Sequence, residues 1–226
     1  MAQSLETDER WLSGRRVVVT AGGTREPIDP VRFLGNRSSG KMGNALAHVA
    51  LEAGADVTLI TAAEPPGTTP GLDVVRVETA QEMGDAVRRS VRGARILIMA
   101  AAVADYRPAS VSPVKLKKRR GTWSLELEPT EDILASLRKA TDRRELFVVG
   151  FAAETSDLLE NAQAKLRQKG LDLIVLNDVS RPDIAMGADE NEVTIISSDG
   201  VVGVIARTTK DAVAAGILGV IRPRVS

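Results

Sequence analysis

Short runs of branched apolar residues alternate with longer amphipathic stretches along most of the chain. RVVVT, Arg16–Thr20, is apolar at consecutive positions and ends in AGG. That pattern predicts a strand buried on both faces. A loop with two prolines follows, and then GKMGNALAHVALEAG. Its apolar positions Met42, Ala45, Leu46, Val49, Ala50 and Ala53 repeat at the helical period, and Gly54 suits the C-terminal stop. DVTLIT (Asp56–Thr61) and DVVRV (Asp73–Val77) predict strands. TAQEMGDAVRRSVRG predicts a helix, and RILIMA (Arg95–Ala100) a fourth strand.

The alternation breaks at Ala101. ADYRPASVSPVKLKKRRG is polar, basic and proline-containing, and WSLELEP alternates like a half-exposed strand. A helix is expected near Thr130–Ala140, a strand at LFVVG, and a helix over Thr155–Lys169 stopped by Gly170. LDLIVLN predicts another strand. EVTIIS and VVGVIA flank the turn SDG as a hairpin, and Thr208–Val220 predicts a closing helix. The pattern is that of an α/β protein, with a Rossmann-like, doubly wound, mainly parallel sheet. It adds an arm inserted over Ala101–Pro129, its flap about residues 106–121, and a C-terminal β-hairpin. Residues 1–15 read as a polar lead-in and 16–226 as one domain.

Composition narrows the chemistry. Among 226 residues, 43% are hydrophobic, which suffices for one sizeable core. Lys+Arg and Asp+Glu are both 30, so no global charge favours nucleic acid or an anionic membrane. No apolar run approaches the roughly 20 residues of a membrane helix. The polar N-terminus has no signal-like apolar region, and a cytoplasmic place is expected. Cysteine is absent, which removes disulfides and thiolate chemistry. His48 is the sole histidine and shares the polar face of its helix with Asn44 and Glu52, so a Ser-His-Asp triad or a histidine metal site is not expected.

In an open parallel sheet, ligands bind beyond the carboxyl ends of the strands. The segments expected there are AGGTREP, AAVADYRP and FAAET. All are rich in small residues, which let a ligand reach the backbone. Close helix–sheet packing asks for small residues too, but three such segments together point to a nucleotide pocket.

GNRSSGKM, Gly35–Met42, nearly matches the phosphate-loop pattern G-x-x-x-x-G-K-S/T. However, 14 residues separate Thr20 from Gly35, and Met42 replaces the hydroxyl that ligates magnesium. A kinase-type phosphate loop is rejected. An anion site at the helix start around Gly40 and Lys41 is retained. The dinucleotide fingerprint is missing after the first strand, and Tyr106 has Ser110 rather than lysine four residues on, which argues against a nicotinamide oxidoreductase. KLKKRR, Lys115–Arg120, would ordinarily read as a solvated face or a nucleic-acid patch, but beside the expected pocket mouth and with balanced overall charge a flap that neutralises phosphates fits better. Lys165 and Lys169 share a helical face and also suit that helix's C-terminal dipole.

AGGTREPIDPVRFLGNRSSGKMG, AAVADYRP, KLKK, VGFAAET and LDLIVLNDVS occur in one order from about Arg16 onward. Together they closely resemble phosphopantothenate–cysteine ligase of the bacterial, CTP-dependent type. The resemblance implies that GNRSSGKM is a substrate loop, Asn36, Arg37, Ser38, Ser39, Gly40 and Lys41. It implies that Asn36 contacts an activated acyl intermediate and that Lys115 is the catalytic lysine of a flap. Further CTP contacts would come from Met99, Ala100, Ala101, Asp105, Glu131, Asp132, Ile133, Leu134, Phe151, Lys165 and Lys169. The family's Asn-Pro-Asp-Ile stretch stands here as Thr130–Ile133.

The resemblance further implies an acyl-cytidylate made from CTP and 4′-phosphopantothenate, then attack by L-cysteine, in coenzyme A biosynthesis. Mg2+ would accompany the triphosphate, with no dedicated protein cage recognisable and its protein ligands unassigned. A homodimer is implied, as is a flavin-dependent decarboxylase half in a longer protein. FMN is not expected on this chain. An ATP-using ligase of similar design, or a non-catalytic nucleotide-binding protein, are the alternatives. Mobility is expected for Tyr106–Gly121, which has little apolar surface to anchor it.

Overall fold

The computed structural model describes residues 10–65, 67, 69–118, 120–138, 145–154, 158–178 and 188–225. Outside them fall the first nine residues of the lead-in, Arg119 of the basic run, the end of the helix expected to reach Ala140, Thr155 of VGFAAET, and the last two residues of LDLIVLNDVS.

Strand β1 (Arg16–Ala21) buries every residue after Arg16. Its pleat sends Val17, Val19 and Ala21 into one core and Val18 into a second on the opposite face. β4 (Asp56–Thr61) and β6 (Ile96–Met99) divide likewise, with Val57, Leu59, Ile96 and Ile98 on the first side and Ile60, Leu97 and Met99 on the second. Consecutive apolar residues therefore require cover on both faces. Helices α1 (Lys41–Glu52) and α5 (Lys210–Val225) cover the first. Helices α2 (Ala80–Ser90), α3 (Ile133–Arg138) and α4 (Leu158–Lys169) cover the second.

With β5 (Leu72–Arg76), β9 (Phe147–Glu154), β10 (Leu173–Asp178), β11 (Glu190–Ser197) and β12 (Gly200–Thr209), the sheet order is β12-β11-β10-β9-β6-β1-β4-β5. The pairs from β5 through β10 are parallel, and β11 and β12 run antiparallel. From β1 the chain moves outward through β4 and β5, then crosses back to lay β6 on the other side of β1. The strand order reverses at β1–β6, which opens a crevice at their carboxyl ends.

This is the expected doubly wound fold, with local differences. Leu12, in the supposed lead-in, is fully buried, and its amide donates to Ala53 O at 2.9 Å. The β1–α1 loop holds a small antiparallel pair, β2 (Arg25–Pro27) and β3 (Phe33–Gly35). FAAE is strand rather than loop, because β9 stays paired with β10 from Phe151↔Val175 to Glu154↔Asp178. WSLELEP forms a strand only at β8 (Leu127–Pro129), paired with β7 (Tyr106–Pro108), so the arm leaves and rejoins the domain through a two-stranded base. The hairpin turn is at Ser198–Asp199 as expected. Its ladder runs on to Glu190↔Thr209, so α5 starts at Lys210 and reaches Val225. Among the described residues no helix is long and apolar enough to cross a membrane.

Candidate active site

A cavity of about 390 Å³ opens at the carboxyl edge of β6, β9 and β10. Each wall has a local cause. Gly40, in the left-handed region at φ 80, caps the start of α1, and a Cβ there would meet Ala63 Cβ at 2.8 Å. The GNRSSGKM loop therefore enters the helix close to the sheet, and Ser38, Ser39, Gly40, Lys41 and Met42 line the cavity.

The opposite wall is Met99–Asp105, fixed by two threonines. Thr20 Oγ1 accepts from the Ala101 amide at 3.1 Å, and Thr24 Oγ1 accepts from the Ala104 amide at 2.8 Å. Asn36 Nδ2 donates to Ala102 O at 3.2 Å and to Val103 O at 3.4 Å. The carboxamide thus spends its donor on the wall and keeps its acceptor for a ligand.

The third wall is Thr130–Leu134. Thr130 Oγ1 donates to Ala104 O at 2.5 Å, and its amide donates to Asp105 O at 2.9 Å. Asp132 caps α3 by accepting from the Ala135 amide at 3.0 Å, and its other oxygen lies 3.3 Å from Lys169 Nζ. Glu131 is engaged by Arg88 at 2.9 Å through both oxygens. Of the two positions where the family pattern departs, Thr130 therefore ties two walls together and Glu131 anchors the segment to α2.

The structure thus brings Asn36, Ser38 through Lys41, Met99 through Ala101, Asp105, Glu131 through Leu134, Phe151, Lys165 and Lys169 to one cavity. Arg37 and Lys115 are exposed and are not among its lining. His48 is half-buried beside Thr69, 3.5 Å from its hydroxyl, rather than free on a polar face.

The arm is also better anchored than its composition suggests. Asp29, fully enclosed, accepts from the amides of Val31 and Arg32, from the Arg32 guanidinium at 2.6 Å, and from the Leu116 amide at 3.1 Å. Arg32 Nη2 also donates to Leu116 O at 2.6 Å and stacks 5.5 Å from the Trp123 ring. A polar pin takes the place of the missing apolar contact, one residue past Lys115.

Three lining residues escaped the sequence reading. Asn177, Asn191 and Lys210 also line the cavity. Because β11 runs antiparallel to β10, its start lies beside the end of β10, and the end of β12 brings Lys210 there. Lys210 Nζ donates to the carbonyls of Ala188 and Glu190. Burial, then the nearby charge of Lys41, pushes its ammonium below the usual lysine value, against the opposing pull of Asp189. No local sequence signal distinguishes this lysine from others at a helix start.

Among the described residues no group of three or more histidine, cysteine or acidic side chains forms a metal cage. Of the lining carboxylates, Glu131 and Asp132 are held by Arg88 and Lys169, whereas Asp105 makes no described ion pair. That donor set suits a hard cation carried mainly by phosphate oxygens and water, with Asp105 as one further oxygen ligand.

The family described as DNA/pantothenate metabolism flavoprotein C-terminal domain matches residues 12–224. The chain is 46% identical over 220 residues to the coenzyme A biosynthesis bifunctional protein CoaBC of Mycobacterium tuberculosis, covering 93% of this chain and 52% of that protein. The chain thus spans about half the length of the curated relatives it matches. The crystal structure of the C-terminal domain of a coenzyme A biosynthesis bifunctional protein CoaBC is similar at a TM-score of 0.78 and 41% identity, covering 96% of this chain and 98% of that one. A Cab2 mutant in complex with phosphopantothenate-cysteine shares the fold at a TM-score of 0.77 and 18% identity, covering 99% and 89%. The chain belongs to the family of DNA/pantothenate metabolism flavoprotein C-terminal domains.

Proposed function

We propose that this chain joins 4′-phosphopantothenate to L-cysteine, using CTP and passing through an acyl-cytidylate. The observation that carries this reading is the meeting of the GNRSSGKM loop, the Met99–Asp105 wall, the Thr130–Leu134 wall and the α4 lysines in one cavity. These segments are distant in sequence, and each is one that the resemblance assigns to the same reaction. A relative 46% identical over 220 residues and named for coenzyme A biosynthesis supports it.

The chemistry explains the residue types. A carboxylate and an ammonium do not condense in water, because the acyl carbon lacks a leaving group. The pantothenate carboxylate oxygen attacks the α-phosphorus of CTP, forming the acyl–phosphate bond and releasing pyrophosphate. The cysteine amine, after losing a proton, then attacks the acyl carbon, and CMP departs with the bonding pair. Both steps need positioning and charge stabilisation more than acid–base groups. Lysines and backbone amides suit that need, and a histidine is not required. In this reading Asn36 accepts from the intermediate, and the Met99–Ala101 backbone reads the base. Lys165 and Lys169, which line the cavity, neutralise the triphosphate in the same reading. Mg2+ would screen the phosphate charge, held by phosphate oxygens, water and Asp105.

A site that hydrogen-bonds one base leaves polar groups unpaired with another, which costs several kcal/mol in total, about a hundredfold or more. Pyrophosphate release with CTP, ATP, GTP and UTP, with and without each acceptor, checks this. CTP is expected to lead by that margin, and equal turnover with ATP at subsaturating concentration overturns CTP as the activating nucleotide. A second copy is the partner we propose. Val31, Phe33, Val111, Val114 and Trp123 expose apolar surface along β2–β3 and the arm. Sedimentation at the mass of two chains is expected, and a monomer at micromolar concentration contradicts it. In a longer protein, a flavin-dependent decarboxylase would supply the other half.

A further inference from the structure

Three oxyanion-bearing reactants meet in the proposed reaction, yet the cavity-lining lysines assigned to CTP come from a single helix. Lys165 and Lys169 lie on α4, whose Ala162 and Leu166 pack in the core on one face of the sheet. A second pair lines the same cavity from the opposite face. Lys41 opens α1 and Lys210 opens α5, and the buried sides of both helices share the other core.

The second pair is a built feature. Lys210 Nζ is aimed by the carbonyls of Ala188 and Glu190, the latter at 3.3 Å. Lys41 Nζ lies 2.5 Å from Asp189 Oδ1. Asp189 stands between the two residues whose carbonyls hold Lys210, so the two ammonium groups are neighbours. Two cations brought together favour an anion beside them. Asp189 supplies one, but its side chain is 89% exposed. An ion pair this open is weakly held, and its carboxylate can turn to water.

Beside the pair stand two asparagines from β10 and β11. Asn191 is only 4% exposed. Asn177 Oδ1 is buried, with no hydrogen-bond partner among the described residues. A buried acceptor without a donor is costly and calls for one. Both 4′-phosphopantothenate and L-cysteine carry an N–H group as well as an oxyanion.

We propose that Lys41 and Lys210 form a second anion pole of the cavity, separate from the Lys165–Lys169 pole. It binds the terminal oxyanion of the acceptor side of the reaction, the phosphate of 4′-phosphopantothenate or the carboxylate of L-cysteine. The oxyanion displaces Asp189, and Asn177 Oδ1 accepts an N–H from the same molecule. This rests on the ligase reading above.

The test compares the parent chain with Lys210→Gln and Lys210→Arg. KM is measured for CTP, 4′-phosphopantothenate and L-cysteine, and binding of each is measured by calorimetry. Pantothenate, which lacks the phosphate, and cysteamine, which lacks the carboxylate, are the truncated probes. Losing one charged contact is expected to weaken one acceptor-side reactant about tenfold to a hundredfold. The matching truncated probe is expected to bind parent and variant alike, and Lys210→Arg to recover most of the loss. The pair of reactant and probe that responds tells phosphate from carboxylate. A selective rise in the KM for CTP, an equal loss for all three reactants, or an equal loss for reactant and probe overturns the pole. Unaltered kinetics in Lys210→Gln also overturn it and leave the ligase reading intact. If the parent makes no product, that reading fails, and calorimetry with 4′-phosphopantothenate and L-cysteine still decides the pole.

Discussion

Replacing Lys115 by alanine is expected to slow acyl-cytidylate formation about a hundredfold to a thousandfold while leaving the melting temperature nearly unchanged. As the attacked phosphorus expels pyrophosphate, negative charge shifts onto the leaving group, and a point charge beside it lowers the barrier by about 2.7–4 kcal/mol. Lys115 is exposed and makes no described contact that folding depends on, so its loss is a surface change. It also stands outside the lining of the cavity, so it acts only once the arm closes. Leu116, the next residue, has its amide on Asp29 and its carbonyl on Arg32. Closure is expected to pivot at that pin, and hydrogen exchange over Tyr106–Gly121 to slow when CTP and magnesium are added. Rapid-quench measurement of the intermediate decides the case. More than about a third of the wild-type rate in Lys115→Ala removes it from catalysis, on the scale of those effects.

The pin gives this prediction a structural counterpart. Burial alone would raise the Asp29 pKa, but hydrogen bonds from the Val31 and Leu116 amides and from Arg32 outweigh it and hold the carboxyl well below the usual range. A folded value below the unfolded value of about 3.9 means that the contribution is complete above that pH and is lost as the pH falls towards the lower folded value. The pin thus holds through neutral and mildly acidic conditions. Asp29→Asn places an amide donor among donors. Exchange at the Leu116 amide is expected to quicken about tenfold or more, the factor carried by one charge-assisted hydrogen bond. Unchanged exchange there contradicts the pin.

Gly43→Val is expected to cost stability at the upper end of the roughly 1–3 kcal/mol typical of overpacking. A Cβ at Gly43 would lie 2.5 Å from Ala21 Cβ, 2.8 Å from Thr20 O and 2.9 Å from Ala21 Cα. Carbon atoms in good contact sit about 3.5–4.0 Å apart, so α1 or β1 has to move. β1 cannot recede, because it is paired with β4 on one side and β6 on the other. Moving α1 instead shifts Gly40 and Lys41, so activity is expected to fall with stability. Gly219→Ala is the opposite case. Nothing lies within 4 Å of its added Cβ, and it sits inside α5. It is expected to gain about 0.5–1 kcal/mol, the helical cost of glycine relative to alanine. Denaturant midpoints check both, and a Gly43→Val protein that unfolds with its parent refutes the close approach of helix and strand.

Much of the cavity was legible because its walls are local. Gly40, Lys41 and the Met99–Asp105 stretch each follow or precede an element whose apolar period is plain, and the strand-end rule puts them on one edge. The lysines of α4 were legible as an i, i+4 pair. What hid was contact between segments. Nothing in IDPVR tells that Asp29 and Arg32 grip Leu116, 84 residues or more away. FAAE reads as a loop because small residues carry little strand preference, yet pairing with β10 holds it extended.

The sequence by itself determined the alternation of buried strands with covering helices, the doubly wound class and the carboxyl edge on which the loops gather. Those features follow from side-chain periods that act over a few residues. Only the tertiary structure decided that Lys210, Asn191 and Asn177 join the cavity and that Lys210 stands beside the partner of Lys41. Their positions depend on the direction of β11 against β10 and on a ladder that continues to Thr209. Strand order and register are set by which surfaces pack together over the whole chain, and no local period records them.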